Sequence, residues 1–439
     1  MKKQNINFAV HLSRFPRVES LLKQELLRQQ DTINLIASEC IQSKHVREIM
    51  GQPLNKYSEG EPFKKYYQGC DIVSEMEAYT IELVKEVFKE AAYVNVQPHS
   101  GNDANIAIIT GLLNPGDKIL SPHLTYGGGH LSHGAPVTVI GKYFNVMQYN
   151  AEESGWYDYN KIDKLADEHK PKIIIGGTSA YSRHIDFAKL RQIADNVGAI
   201  LLADVSHYLG LIVAGLYPNP LKHAHILTST THKTFLGPKG AIIACTDDKN
   251  TDGEKLSFYI QRAIFPHFQG GPAINNILSK AVAFEQAKLP TYKNLMQLII
   301  DNACALSKAL QDRNVNVFTK GTDTHQLLID LRQEKRTGAN VAAALEQVGI
   351  ISNKNGIPGD PYPPIVTSGI RLGTTIVSQR GFDSKDMESI AQWIREIIDI
   401  VVTGVTKKNE NIILDKAKIE YIRLQVSELC RKYPIEFNL

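Results

Sequence analysis

The chain has 439 residues, of which 43% are hydrophobic and 22% charged, and its formal net charge is +3. This composition is typical of a globular protein with about two or three domains, and the small charge gives no indication of a nucleic-acid partner. Five cysteines without CxxC spacing predict free thiols rather than a disulfide framework or metal site, and we expect neither a secretory segment nor a membrane span, hence a cytoplasmic protein.

The first predicted element is an amphipathic helix over Arg17–Gln30. Its leucines and Val18 recur at helical spacing, which places them on one face of the helix. That face needs a surface to cover, and the surface could belong to a second subunit. The next apolar stretch ends in Ser38, whose simplest role would be a helix or turn cap.

The stretch from Lys56 to Cys70 is polar and aromatic with few aliphatic residues, which predicts a loop with functional side chains rather than core. A helix over Ile72–Lys89 and a short strand over Tyr93–Val96 follow. The strand leads into Ser100-Gly-Asn102, which opens an apolar helix over Ala104–Leu113. Amides at such a helix start bind phosphate, although a turn without any ligand is the simpler alternative.

The middle of the chain alternates strands and helices. Strands are predicted over Lys118–Ser121, Lys172–Gly177 and Ala199–Ala203, and a helix over Phe187–Val197. This alternation predicts an α/β fold with a mostly parallel sheet and helices on both faces. Asp204 stands where a buried strand ends, so it is aimed at the edge where such sheets bind ligands, unless it only caps the next helix.

One stretch organises the chain chemically, Ile226 to Ala241, with Lys233 inside it. A lysine on a loop between two buried strands has a lowered pKa, which suits an amine that condenses with an aldehyde. Four preceding hydroxyl residues, Thr228 to Thr231, offer donors to an anion such as phosphate. With Asp204 able to keep a pyridine nitrogen protonated, the pair fits pyridoxal phosphate. A polar loop with a surface lysine is the alternative for this stretch alone.

The last third predicts a second domain. A long helical pattern over about Asn275–Asp312 leads to a strand over Gln326–Leu331, a helix over Gly338–Gln347 and a C-terminal helix from about Ser384. Arg371 lies in an apolar strand, where a buried charge requires an anion such as an amino acid carboxylate or a structural salt bridge. We expect an N-terminal arm over 1–45, a large cofactor-binding domain over 46–280 and a small domain over 281–439.

Many short motifs, in one order along nearly the whole chain, resemble the serine hydroxymethyltransferase family. They include Leu35-Ile-Ala-Ser-Glu39, Asn55-Lys-Tyr-Ser-Glu-Gly60, Gly128-Gly-His-Leu-Ser-His-Gly134, Thr230-Thr-His-Lys233, Gln269-Gly-Gly-Pro272 and Thr367-Ser-Gly-Ile-Arg-Leu-Gly-Thr374. The resemblance implies a fold-type I pyridoxal-phosphate enzyme, aminotransferase-like, with a smaller α/β C-terminal domain. It implies reversible transfer of the serine hydroxymethyl carbon to tetrahydrofolate, giving glycine and methylenetetrahydrofolate.

The resemblance also assigns roles to residues. Lys233 would hold the cofactor aldehyde and Asp204 its ring nitrogen, with His130 stacked on the ring and His207 touching both cofactor and substrate. Further cofactor contacts would come from Ser100, Gly101, Asn102, Ser179 and His232. The substrate carboxylate would be held by Arg371 and Ser38. No metal is implied.

In the family, a loop from the neighbouring subunit completes each site, so the resemblance implies a homodimer and leaves tetramers open. Tyr57 and Gly271 would serve the partner's cofactor, Tyr67 its substrate, and Glu59 the proton transfers. The folate-binding residues would be Glu59, Tyr66, Leu124, Leu131, Phe265 and Asn355.

The chain departs from the family pattern mainly on the folate side. Glu61, Phe63, Lys65 and Gln68 replace Tyr, Gly, Arg and Gly, an extra glycine stands near Gly129, and His267-Phe268 replace two glycines. Phenylalanine is expected to lose the positive backbone angles open to glycine, and a glutamate repels an acidic ligand. A folate-independent aldolase or transaldolase of threonine-like β-hydroxy amino acids is therefore the alternative activity. A catalytically silent protein that binds pyridoxal phosphate or RNA is the alternative of another class.

Overall fold

The computed structural model describes residues 14–247, 249–251, 253–405 and 412–435. Residues 1–13, the start of the predicted arm, and 436–439 of the predicted small domain therefore lie outside the described residues. The strands, in chain order, are β1 Ile33–Asn34, β2 Tyr93–Asn95, β3 Lys118–Pro122, β4 Asn145–Tyr149, β5 Ile173–Gly177, β6 Ile200–Asp204, β7 Ile226–Thr230, β8 Ala241–Cys245, β9 Asn250–Thr251, β10 Glu254–Lys255, β11 Asn316–Val317, β12 Gln326–Asp330, β13 Ile350–Ile351, β14 Asn353–Asn355 and β15 Gly369–Gly373.

Helices alternate with these strands along most of the chain. They are α1 Pro16–Gln30, α2 Lys44–Met50, α3 Asp71–Val87, α4 Gly101–Leu112, α5 Val139–Tyr143, α6 Tyr159–His169, α7 Phe187–Val197, α8 Leu209–Val213, α9 Leu256–Arg262, α10 Ile274–Ala287, α11 Pro290–Asp312, α12 Gly338–Gln347, α13 Thr375–Gln379, α14 Ser384–Ile400 and α15 Lys416–Lys432. In the part of the chain that the structure describes, no helix combines the length and apolar character needed to cross a bilayer.

The central sheet has seven strands in the order β2-β8-β7-β6-β5-β3-β4. Strands β7, β6, β5, β3 and β4 run parallel, whereas β8 is antiparallel to both of its neighbours. Strands β5 to β8 are buried along their whole length, which includes the hydroxyl residues Thr228 to Thr230 of β7.

Helices cover both faces of this sheet. Side chains alternate along each strand, so Ile173 and Ile175 of β5 pack in one apolar cluster and Ile174 between them packs in another. The predicted α/β class with a mostly parallel sheet is confirmed.

A second core surrounds a four-stranded antiparallel sheet in the order β11-β12-β15-β14. It includes Leu306 and Leu310 of α11, whereas Met296 and Ile299 of the same helix pack in the core of the central sheet. The helix α11 therefore joins the two cores. The domain boundaries at 45 and 280 stay predictions.

The long helical pattern predicted over Asn275–Asp312 is helical in the structure except at residues 288 and 289. The segment forms two helices, α10 and α11, with Pro290 in the first turn of the second. Proline has no backbone N–H and clashes with the preceding turn, so it begins a helix and interrupts a longer one.

Candidate active site

Several predicted site residues follow the carboxyl ends of parallel strands, which meet at one edge of the sheet. Asp204 ends β6, Ser179 comes two residues after β5, and Lys233 comes three residues after β7. Together with the start of α4 they enclose a cavity of about 180 Å³. Its lining includes Ser100, Gly101, Asn102, His130, His133, Ser179, Asp204, Ser206, His207, Thr230, His232 and Lys233.

Asp204 is buried, and both of its carboxylate oxygens are hydrogen-bonded. One carboxylate oxygen accepts from Asn105 Nδ2 at 2.7 Å and lies 3.0 Å from His133 Nε2, and the other accepts from Ser206 N at 3.0 Å and Ser206 Oγ at 2.5 Å. Burial alone would raise the pKa of Asp204, but the hydrogen bonds from His133 and Ser206 hold that pKa well below its usual range. Asp204 therefore stays a carboxylate in the floor of the cavity rather than only capping a helix.

Asn105 and His133 had no predicted role, and both are positioning groups for Asp204. Asn105 also accepts from Thr228 Oγ1 at 2.6 Å, which fixes the orientation of its amide. Their distance along the chain from Asp204 explains why sequence spacing could not find them, since they stand 99 and 71 residues away.

Lys233 is buried, so the alternative of a surface lysine is excluded. Burial lowers the pKa of Lys233 to about 8, with the charge of Arg371 acting in the same direction and that of Asp204 opposing it. The backbone around it is held by a bond from Thr231 N to Gly240 O at 3.0 Å and one from Leu236 N to Lys233 O at 3.1 Å. The lowered pKa makes the neutral amine, the state a nucleophile needs, far more abundant near neutral pH than it is for an exposed lysine.

The expectation that four hydroxyls near Lys233 serve an anion is wrong for all four of them. Thr228 donates to Asn105, Ser229 to the Thr230 carbonyl at 3.0 Å and Thr231 to the Pro238 carbonyl at 2.6 Å. Thr230 lines the cavity, but its hydroxyl donates to the Ser206 carbonyl at 3.2 Å. A hydroxyl has a single proton, so none of the four has a proton left for a ligand.

The start of α4 forms the other end of the cavity. Ser100 caps the helix by accepting from Asp103 N at 3.1 Å, which leaves its own hydroxyl proton free. A Cβ on Gly101 would lie 2.5 Å from Thr230 Cγ2, so only glycine allows this close approach. The amides of Gly101 and Asn102 are thus available to an anion.

A second cavity of about 450 Å³ adjoins the first, and Lys233, His130, Ser179, His207 and His232 line both. It also brings together predicted substrate and folate residues that the sequence spreads over the chain: Ser38, Leu124, Leu131, Asn355 and Arg371. Ser38 caps no helix, because Ser43 is the cap of α2.

Arg371 is buried in the middle of β15. Its Nε donates to Asn353 Oδ1 at 3.0 Å and its Nη1 donates to the Ser179 carbonyl. No carboxylate of the described residues pairs with it, and burial lowers the pKa of Arg371 to about 10. The guanidinium remains charged at neutral pH and faces a cavity, so the structural salt bridge is excluded within the described chain.

His325, which had no predicted role, determines the tautomer of His207. His325 Nε2 lies 3.1 Å from the Ala37 carbonyl and 3.3 Å from His207 Nδ1. A carbonyl only accepts, so His325 Nε2 carries the proton and His207 Nδ1 is an acceptor. Burial lowers the pKa of His207 well below its usual range and that of His325 to about 3, so both are neutral. His207 therefore carries its proton on Nε2.

Six predicted residues lie in neither cavity: Tyr57, Glu59, Tyr66, Tyr67, Phe265 and Gly271. Tyr57 and Tyr66 are 65% and 77% exposed, and both rings contact Tyr67, with centroids 5.5 and 5.3 Å apart. Within one chain the structure does not bring these residues to Lys233.

The expectation that Phe63 loses positive backbone angles is wrong. Phe63 has φ of 60°, the left-handed region that glycine favours, and its side chain is exposed. The conformation costs about 1–2 kcal/mol for a residue with a Cβ, so the loop keeps its path at the expense of some stability.

Two comparisons with known proteins bear on this site. A family model described as serine hydroxymethyltransferase matches residues 13–394. A curated protein of Phenylobacterium zucineum (strain HLK1), named serine hydroxymethyltransferase, is 46% identical over 423 residues, which cover 96% of this chain and 95% of that protein. Both matches extend across the two cavities.

Proposed function

The chain belongs to the serine hydroxymethyltransferase family and is a pyridoxal-phosphate-dependent transferase with tetrahydrofolate as co-substrate, and from this premise we propose how its residues divide the work. The reaction is the reversible transfer of the serine hydroxymethyl carbon to tetrahydrofolate, with glycine as the other product. One observation carries the residue assignment: a buried lysine of lowered pKa shares a cavity with an ionised aspartate and adjoins an unpaired buried arginine.

The donor set of the smaller cavity fits pyridoxal phosphate. The amides at the start of α4, with the hydroxyl of Ser100, suit the phosphate, and Asp204 suits a protonated pyridine nitrogen. His130 is a flat ring whose pKa is lowered to about 4, chiefly by burial, so it is a neutral stacking partner. The bound cofactor supplies an electron sink for the carbanion that forms when the substrate carbon bond breaks.

Lys233 and Asp204 act through their charge states. Lys233 would hold the cofactor aldehyde through its amine. Asp204, kept ionised by its hydrogen bonds, would hold a proton on the ring nitrogen. Both groups are shielded from water, which strengthens these interactions.

Arg371, Ser38 and His207 orient the amino acid. Two of the five N–H groups of Arg371 bond to Asn353 and Ser179, so three remain for a carboxylate. The Nε2–H of His207 and the hydroxyl of Ser38 are further donors at the same cavity. The carboxylate is thereby fixed relative to Lys233, which selects the bond that breaks.

A homodimer completes each site. Glu59 of the partner subunit would move the proton of the substrate hydroxyl, with Tyr57, Tyr67 and Gly271 of the partner subunit at the cofactor and substrate. The exposed aromatic cluster supports this arrangement, as does α1, whose Val18 and Leu27 are 54% and 62% exposed. Exposed apolar side chains grouped in this way are typical of a subunit interface.

Folate would bind where the larger cavity meets the partner. Leu124, Leu131 and Asn355 of one chain line that cavity. Glu59, Tyr66 and Phe265 would come from the other chain.

The five cysteines form no disulfide, which supports our proposal of a cytoplasmic enzyme.

The test is the absorption spectrum of the purified protein with glycine, before and after tetrahydrofolate is added. We expect a long-wavelength band of the bound cofactor that grows strongly with folate, because both ligands meet in one site. If glycine alone changes the spectrum, folate has no effect and threonine is cleaved faster than serine, the acceptor is wrong and the aldolase activity replaces it.

The matched variants are Lys233→Ala and Lys172→Ala. Lys172 is an exposed lysine paired with Asp117 at the opposite end of β5. Turnover should be lost in the first variant and kept in the second; normal turnover of Lys233→Ala would overturn the assignment.

A further inference from the structure

Beneath the exposed loop of Tyr57, Glu59, Tyr66 and Tyr67 lies a buried polar cluster. Lys65 Nζ donates to Glu77 Oε2 at 2.5 Å, and both side chains are 2% exposed. Gln97 Nε2 donates to the other oxygen of Glu77 at 2.6 Å. We call Lys65, Glu77 and Gln97 the anchor cluster.

The anchor cluster grips one backbone group of the loop. The Gly60 carbonyl accepts from Lys65 Nζ at 2.7 Å and from Gln97 Nε2 at 2.9 Å. Gly60 has φ of 99°, and a Cβ there would lie 2.6 Å from the Lys64 carbonyl, so glycine is required. Gly60 directly follows Glu59 in the chain. The hydrogen bonds to the Gly60 carbonyl therefore also restrict the position of the Glu59 backbone.

The loop also makes a hydrogen bond within itself, and it contacts a second loop, which contains Gln269, Gly270 and Gly271. Tyr66 N donates to the Glu59 carbonyl at 2.9 Å. Gln269 Nε2 donates to the Gln97 carbonyl at 2.9 Å, next to Gly270 and Gly271. A Cβ on Gly270 would lie 3.4 Å from Glu59 Oε1, so the two loops pack directly together. The anchor cluster therefore contacts both loops, the first through the Gly60 carbonyl and the second through Gln269.

We propose that the anchor cluster is a positioning element for the neighbouring subunit's active site, acting through Gly60 on Glu59. This rests on the proposed function, in which Glu59 serves the partner's site. The same cluster is also close in sequence to its own subunit's site, since Gln97 stands three residues before Ser100. An action in the partner's site and an action in its own are therefore the two possibilities that an experiment must separate.

The chemistry of the cluster favours positioning over general stability. Lys65 has three N–H groups and uses two of them on the Gly60 carbonyl and Glu77. Replacement of the buried ion pair by apolar residues of similar size is often tolerated by a fold, whereas removal of one partner leaves an unpaired charge. The double variant Lys65→Met, Glu77→Leu therefore frees Gly60 from Lys65 without leaving a buried charge. The second variant, Gln97→Met, removes the other donor to the Gly60 carbonyl and keeps the ion pair intact.

As homodimers, both variants should keep the cofactor and lose kcat. A displacement of about 1 Å in a catalytic group costs about 100-fold, so kcat should fall about 10- to 100-fold, while KM for serine and affinity for pyridoxal phosphate change less than about threefold. Glu152→Gln, which removes an exposed partner of Lys161, is the control and should match the unmodified enzyme.

Subunit mixing then separates the two possibilities. Each variant is co-expressed with Lys233→Ala under a second affinity tag, and the heterodimer is purified through both tags. In that dimer the only site with Lys233 receives its loop from the Lys233→Ala chain, whose anchor cluster is intact. Activity should return to about half that of the unmodified dimer, one site in two. Asp204→Asn with Lys233→Ala is the negative control, because both lesions act in their own chain's site.

The pair of Glu59→Gln with Lys233→Ala tests the proposed function itself. If this pair recovers activity and the anchor-cluster pairs do not, the anchor cluster acts in its own subunit and the inference is overturned. If the Glu59 pair also fails, the assignment of Glu59 to the partner's site falls instead. Homodimers of both anchor-cluster variants with unchanged kcat would overturn the inference as well.

Discussion

Arg371→Met should abolish recognition of the substrate carboxylate while leaving the cofactor in place. Arg371 keeps three N–H groups free of protein partners. Two hydrogen bonds to a carboxylate, at about 1.5–3 kcal/mol each for a charged pair, amount to about 3–6 kcal/mol. We therefore expect kcat/KM for serine to fall about 100- to 10,000-fold.

The assay is steady-state kcat/KM for serine with tetrahydrofolate in excess, combined with titration of the cofactor-free protein by pyridoxal phosphate. Arg371 lines the larger cavity and is absent from the smaller one, so affinity for the cofactor should change less than about threefold. Arg423→Met is the matched control, because Arg423 pairs with Glu420 on the exposed side of α15.

Two results would refute this reasoning. A loss of kcat/KM below about fivefold would show that the guanidinium does not bind the carboxylate. An equal loss for serine and for 2-aminoethanol, which lacks the carboxylate, would show that the variant damages the site in general.

Three other changes follow from the same geometry. The rate at which cofactor-free protein takes up pyridoxal phosphate should rise with pH and level off above about 8. The reason is that burial lowers the pKa of Lys233 to about 8 and only the neutral amine reacts. A stopped-flow rate that is flat from about pH 6 to about pH 9 would contradict this prediction. Asp204→Asn keeps the shape but removes the charge, so kcat should fall about 10- to 100-fold with little change in KM, and an unchanged kcat would exclude an electrostatic role. His325→Leu should lower kcat/KM about five- to tenfold, because His207 loses the N–H group that donates to its Nδ1. His325→Gln should keep most of the original kcat/KM, because its amide N–H can replace that donor. Equal kcat/KM in the two variants would argue against the tautomer assignment.

The sequence alone predicted the elements whose pattern is local. The helices Phe187–Val197 and Gly338–Gln347 have the predicted bounds, and the strand predicted over Ala199–Ala203 is β6, which is shifted by one residue to Ile200–Asp204. Apolar residues spaced at 3.6 or 2 residues, or in one continuous run, can be recognised from residues that are close in sequence. These elements can therefore be predicted without tertiary information. The same reasoning placed Asp204 and Lys233 at one edge of the sheet.

Only the tertiary structure decided which polar groups meet. His325 and His207 are 118 residues apart, and Asn105 is 99 residues from Asp204. The hydroxyls of Thr228 and Thr231, predicted as anion donors, donate instead to acceptors within the protein. Both hydroxyls are buried, and a buried hydroxyl needs a hydrogen-bond partner. Spacing along a chain encodes secondary structure, whereas the pairing of buried polar groups depends on which strand ends and loops the packed sheet brings within 3 Å of one another.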